Sequence, residues 1–441
     1  MRPHLNILIP LFHTIDARMV KKGKRLSLFD VFCLGLNAII GSGIFLFPGT
    51  LAVLVGPASI VAFLVCGGLL ALVALCYAEL GAMFPGNGGS YLYAREAFGD
   101  SIGYGVGLIA WAAAVLSWSA VAAVLSGHLG FFHPIFNNVW VGKVFACALL
   151  LIFSGVNWRG VKLGAWTVDA LTIAKVIPLV ILVFCLFPSV EPARFTPFWS
   201  GEGKFGYAVF LALWALQGFE VAPVPAGETE NPQTDIPKAV LGSLLSAAVF
   251  YAIIQAVVVG SFPGLTASTE RPLADAAQHV LGSWGGVLLG VGGIISMMGF
   301  VAGAALGAPR YLSAIGERSL KRWRLDAAHS RFATPHRAIA ATCGAAVTMI
   351  LVFDFSSLID LANLAVVSQY LASCLAVIVL RRSRPNAERA YRVPMGPWVA
   401  GAGALVSGWL MTNVKGPELI GTFVVLAVGY GVRAAADRRT A

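Results

Sequence analysis

Charge is what this chain has least of. Asp, Glu, Lys and Arg make up 12% of its 441 residues, against 58% hydrophobic. A soluble domain carries about a quarter charged residues. An ordinary soluble protein is therefore excluded, and a chain solvated by lipid is indicated. Cysteine is sparse as well. The seven (Cys33, Cys66, Cys76, Cys147, Cys185, Cys343 and Cys374) all fall in apolar stretches with no Cys-x-x-Cys spacing. That excludes a disulfide framework and leaves them as small packing residues. The seven histidines lack metal-ligand spacing, so neither metal nor other cofactor is expected. There is no nucleophile–base pair, metal cluster or phosphate loop, which argues against a membrane-embedded enzyme. No cleavable leader is expected either, because about 27 mostly polar residues precede a span too long for a signal core. The longest polar stretch, 308–337, reads as a cytoplasmic loop, and no signalling tail of the kind a sensor needs is evident.

Long apolar runs are abundant. A bilayer span needs about 20 residues. The sequence predicts twelve, at 28–54, 57–83, 104–127, 141–157, 163–187, 206–228, 238–261, 280–307, 338–353, 357–380, 397–412 and 417–433. The net charge of +10 sorts by side of the membrane instead of marking a nucleic-acid partner. With the N-terminus inside, the cytoplasmic segments hold 25 of the 31 basic residues and the outer loops hold Lys143, Arg194, Lys204, Arg271 and Lys415. That bias places both termini in the cytoplasm. Lys175 alone is left within the membrane, where a charge is costly and points to function.

Two spans are interrupted. In the first, Ile40-Gly41-Ser42-Gly43-Ile44-Phe45 sets a serine between two glycines. Glycine suits a bend better than an unbroken helix. Unwound backbone at membrane depth survives only against protein or a water-filled cavity. The half-helix starting near Gly43 aims its N–H groups and positive dipole end at an anion, for which a carboxylate is the natural occupant. Span six carries Trp214-Ala215-Leu216-Gln217-Gly218-Phe219-Glu220, then Pro223 and Pro225. Gly218 permits unwinding and Pro223 suits the first turn of a new half-helix, with Glu220 near its N-terminus. Matching breaks five spans apart point to an inverted-repeat transporter with its site between them.

These residues resemble the amino acid–polyamine–organocation (APC) transporters. Ile40–Phe45 with Pro48 is similar to that family's first-span signature. Tyr77-Ala78-Glu79-Leu80, Phe84-Pro85, Gly88-Gly89-Ser90-Tyr91 and Glu96-Ala97-Phe98-Gly99 resemble its second-span and loop signature. Gly227-Glu228, Asn231-Pro232, Ile236-Pro237, Pro309-Arg310, Thr334-Pro335, Arg381-Arg382 and Tyr391-Arg392-Val393-Pro394 fit later landmarks, in order along nearly the whole chain. The resemblance implies an all-α membrane protein with the leucine-transporter-like fold. Its first repeat would be 28–187 and its second 203–380, with two additional helices over 397–433 and a cytoplasmic N-terminus over 1–27. All of it forms one domain, in a bacterial inner membrane.

The resemblance also implies roles. Gly41, Ser42 and Gly43, flanked by Ile40 and Ile44, would hold a substrate α-carboxylate. Carbonyls around Ala215–Gly218, with Gln217, would take the α-ammonium, and Trp214 would gate the site. Lys175 would stand in for the cation of sodium-dependent relatives and tie span five to the broken first span. Glu220 is linked to proton response, and Glu79 and Glu228 to gating or structural ion pairs nearer the cytoplasm. The side-chain pocket would draw on Trp118 in span three and Phe300 in span eight. Neither stretch contains Asp or Glu, which favours a neutral amino acid, while the aromatic faces keep a cation–π site open. The expectation is sodium-independent exchange or proton-coupled transport. A basic amino-acid or polyamine antiporter of the same fold is the alternative. The partners expected are an amino-acid substrate and membrane lipid, with homodimerisation left open and no nucleic acid.

Overall fold

The computed structural model describes residues 25–130, 132–265, 271–412 and 416–437. Eight of the basic residues used above (Arg2, Arg18, Lys21, Lys22, Lys24, Lys415, Arg438 and Arg439) lie outside them. Among the described residues every regular element is helical, apart from an isolated parallel bridge between Leu26 and Thr229.

Helix α1 (Leu28–Ile39) starts at a capping box: the Ser27 hydroxyl accepts from the Asp30 N–H, and the Asp30 carboxylate accepts from the Ser27 N–H. It stops at the first break, and α2 (Gly43–Val55) restarts three residues on. Then follow α3 (Ser59–Met83), the short α4 (Ser90–Phe98), α5 (Asp100–Gly130), α6 (Val139–Trp158) and α7 (Val161–Leu186). Helix α8 (Phe205–Leu216) ends at the second break. The rest are α9 (Pro232–Ser261), α10 (Pro272–Leu281), α11 (Ser283–Ser319), α12 (His336–Val352), α13 (Phe355–Ser383), α14 (Gly396–Met411) and α15 (Gly416–Asp437). Eight helical segments among the described residues are long and apolar enough to cross a membrane. Leu28–Ile39, Phe205–Val221 and His336–Val352 are apolar but shorter.

Three features depart from the expectations. No α-helical half follows Gly218; the chain makes 3-10 turns at Phe219–Val221 and Ala226–Glu228 instead. Pro223 and Pro225 each remove an N–H donor, so an α-helical ladder cannot propagate there. Glu220 therefore sits in a 3-10 turn. Second, α11 runs on to Ser319 and shortens the loop expected over 308–337. Pro309 cannot bond the Ala305 carbonyl, and the Asn157 side chain donates to that carbonyl instead, at 2.6 Å. Third, segments read as loops contain α4 and α10.

The broken pieces lie inside the bundle. Helix α1 packs on α7, α9 and α11, while α8 packs on α2 and α3. Helices α5, α7, α11 and α13 form the packing around them, with α11 lying on both α5 and α7. Apolar side chains left on the outside, such as Val144, Leu151 and Ile152 on α6, face what lipid would cover.

Candidate functional site

Ending a helix inside a bundle frees carbonyls that must be matched. At the first break the matching donors come from three other helices. The Lys175 ammonium on α7 donates to the Asn37 carbonyl at 3.0 Å and to the Ile40 carbonyl at 2.5 Å. The Tyr251 hydroxyl on α9 donates to the Ile39 carbonyl at 3.0 Å. The Ser296 hydroxyl on α11 lies 3.0 Å from both the Ile40 and Gly41 carbonyls. Lys175 is fully buried. A cation among carbonyl dipoles is what makes that burial tolerable. Gly299 brings α11 close enough for this: a Cβ there would lie 2.7 Å from Asn37 Oδ1 and 3.1 Å from Lys175 Nζ.

The opposite side of the break presents donors. Ser42 is the N-cap of α2, but its side chain makes no cap hydrogen bond. Its hydroxyl is buried without a partner. Of the first-turn N–H groups, that of Phe45 donates to the Ser42 carbonyl at 3.1 Å, whereas those of Gly43 and Ile44 precede the first i to i−4 bond of the helix.

The second break is built to touch the first. Gly218 has φ 129°, and a Cβ there would lie 2.6 Å from the Ala38 carbonyl carbon. A Cβ on Gly43 would lie 2.6 Å from Ala215 Cα. Only glycine lets these two backbones cross. The C-terminal carbonyls of α8 point out of its last turn, next to the donor end of α2. The Glu220 carboxylate accepts from the Gly218 N–H at 2.8 Å and from the Tyr370 hydroxyl at 2.7 Å through the same oxygen.

One cavity lies where the breaks meet. Gly41, Ser42 and Gly43 line it from the first break, and Trp214, Gln217, Gly218 and Glu220 from the second. Helix α5 contributes Ala110, Ala113, Ala114 and Ser117, and α11 contributes Phe300. Of the residues singled out in the sequence, Ile40, Ile44 and Ala215 are buried beside the cavity without lining it. Lys175 stands behind the break, on its carbonyl side. Trp118 is fully buried in the core and is not brought to the cavity; its neighbour Ser117 is. Glu79 is remote from it. Its carboxylate takes both Arg381 and Arg389 and the Val393 N–H. Glu228 forms a two-pronged pair with Arg310, at 2.8 and 2.9 Å.

Sequence reading gave no role to Tyr251, Ser296, Asn37 or Tyr370. Each is a polar group inside an apolar span, which was the available signal. The cavity carboxylate, Glu220, lies on the broken span itself and not on spans three or eight, the two stretches from which the neutral pocket is inferred.

An all-helical bundle with two interrupted helices meeting at a largely apolar cavity that carries a few polar groups defines a polytopic membrane carrier. The chain matches the amino acid permease family over residues 26–431 and belongs to that family, within the APC superfamily. It is 26% identical to a branched-chain amino acid permease of Bacillus subtilis over 426 residues, covering 92% of this chain and 91% of the relative. It is 28% identical to a serine/threonine exchanger of the same organism over 442 residues, covering 96% and 99%. It is 27% identical to cationic amino acid transporter 4 of Mus musculus over 380 residues, covering 81% of this chain and 59% of that one.

Proposed function

We propose that this permease carries neutral L-amino acids without sodium, by exchange or proton coupling, across a bacterial inner membrane. The observation that carries this reading is the opposed polarity of the two breaks at one cavity. The N-terminal turn of α2 and the unpartnered Ser42 hydroxyl lie on one side of it, and the carbonyl end of α8 on the other. A zwitterion has a carboxylate for the first and an ammonium for the second. Lys175 occupies the place between α1, α7 and α11 where a coupling cation would bind, which is the basis for sodium independence. Trp214 closes over the bound headgroup. We read the whole as twelve spans in two inverted repeats of five plus two, both termini cytoplasmic, with the unit containing the breaks rocking against the other helices.

Neutrality rests on the state of Glu220. One of its oxygens already receives two hydrogen bonds, and the α5 and α11 walls hold no other carboxylate. A second reading is favoured by the same residue. Glu220 lines the cavity, so a basic side chain would find there the carboxylate it needs. The relatives divide in the same way, two named for neutral substrates and one for cationic ones.

The test is uptake of labelled amino acids into proteoliposomes, with and without sodium, a pH gradient and internal amino acid. Sodium-independent uptake of neutral amino acids is expected. Uptake confined to arginine, lysine or polyamines establishes the second reading. In the same assay Lys175→Ala is expected to lose at least about a hundredfold in rate, because the Asn37 carbonyl loses its donor and the Ile40 carbonyl keeps only Ser296. Full activity of that variant at all pH values removes Lys175 from the mechanism.

A further inference from the structure

Gln217 is 8% exposed and lines the cavity, and its amide oxygen is buried without a hydrogen-bond partner. Buried polar atoms are nearly always matched. An acceptor left open in the wall of a cavity is matched by whatever fills it. No protein donor lies within hydrogen-bond distance of that oxygen, although Ser42, Ser117, Tyr311 and Gln369 also line the cavity, beside Ala110, Ala113, Ala114 and Val366. Glu220, three residues on, is turned to the Gly218 N–H and the Tyr370 hydroxyl.

The substrate's own headgroup is accounted for elsewhere. On the reading above, its carboxylate faces the first-turn N–H groups of α2 and its ammonium the carbonyl end of α8. With the ammonium on the main-chain carbonyls of this break, the Gln217 side-chain oxygen is left for a donor on the substrate's side chain.

We propose that Gln217 is the specificity-determining residue of this site and selects amino acids whose side chains carry a hydroxyl or carboxamide over those with hydrocarbon side chains. This rests on the amino-acid reading above and narrows it. A hydrocarbon substrate that fills the cavity leaves the amide oxygen without a partner; a hydroxyl donates to it and gains one. Sites built to hydrogen-bond a substrate group reject the analogue lacking it far more strongly than apolar pockets reject an added one.

Threonine and valine make the test, since they share shape and differ in one hydroxyl. In proteoliposomes the wild-type protein is expected to take up threonine at least about tenfold more efficiently than valine. Gln217→Met keeps the length of the side chain and removes its hydrogen bonding. In this variant the threonine-to-valine ratio is expected to fall to about one. Equal uptake of the two by the wild-type protein overturns the proposal, whether or not the variant folds. So does a ratio unchanged in Gln217→Met. If no amino acid is transported, the broader reading fails instead. The proposal is then decided on the detergent-solubilised protein by whether threonine raises its melting temperature more than valine does.

Discussion

At the scale of the residue, the site is made by what two glycines lack. Gly218 and Gly43 allow main chain to lie against main chain. Gly218→Ala sets a Cβ 2.6 Å from Ala38 at φ 129°, a conformation L side chains rarely adopt. Strain of this kind costs about 1–3 kcal/mol. A lowered melting temperature in detergent and loss of uptake are expected, whereas Gly127→Ala, with no atom within 4 Å of the new Cβ, leaves both unchanged. Melting curves and initial uptake rates of the two variants check this. Both glycines were legible in the sequence: Gly43 because a glycine–serine–glycine run has few other uses inside an apolar span, and Gly218 because it precedes two prolines in another. So was Lys175, since an intramembrane charge is seldom idle. Trp118 misled because side-chain direction on a helix that is apolar all round cannot be read from composition: α5 is largely buried, and one step along the chain moves a residue from cavity to core. Gln217 was legible as part of the break, but its unmatched oxygen is a property of its surroundings alone.

At the scale of the element, proline explains most of the difference between expectation and structure. Apolar runs gave the positions of the apolar helices, eight of them long enough to cross a membrane among the described residues, because length and hydropathy are local properties. Where helices end was less legible, because ends depend on partners far along the chain. Pro309 looked like the exit from span eight. It is an interior residue of α11 because Asn157, on α6, supplies the hydrogen bond that proline cannot. Asn157→Leu is therefore expected to destabilise the protein by about 1–3 kcal/mol through the stranded Ala305 carbonyl. Pro309→Ala restores a backbone donor to that carbonyl, so the double variant is expected to recover part of the loss. A double-mutant cycle on melting temperatures measures the coupling, and strictly additive effects would contradict this account. The missing half-helix after Gly218 has the converse cause: two prolines in close succession with no outside donor to replace the lost bonds.

At the scale of the whole molecule, the breaks are held by groups drawn from across the chain, and ion pairs bind the rim. Glu96 on α4 pairs with Arg95 and with Arg384 beyond the end of α13. Burial pushes the Glu96 carboxyl up, but hydrogen bonds from the two guanidinium groups outweigh it and hold it below the 4.5 of a free glutamate. A carboxyl lowered on folding adds stability above its unfolded value, and that stability is lost as pH falls through the folded one. Glu96→Gln is thus expected to melt below the wild type at neutral pH, with the gap closing in acid below about pH 4. Melting temperatures across pH 3–7 check it, and a gap independent of pH contradicts it. The donors at the first break carry a further consequence, for the order in which the protein is made. Lys175, Tyr251 and Ser296 all follow that break in the chain, and so do Glu228 and Glu230, whose backbones pair with Leu26. A ribosome delivers α1 and α2 to the bilayer long before it has synthesised any of them. The nascent segment must wait with its carbonyls unmatched, shielded by insertion machinery or by water, until Ser296 emerges. A segment that enters the membrane ahead of α7, α9 and α11 is thus finished only after all three.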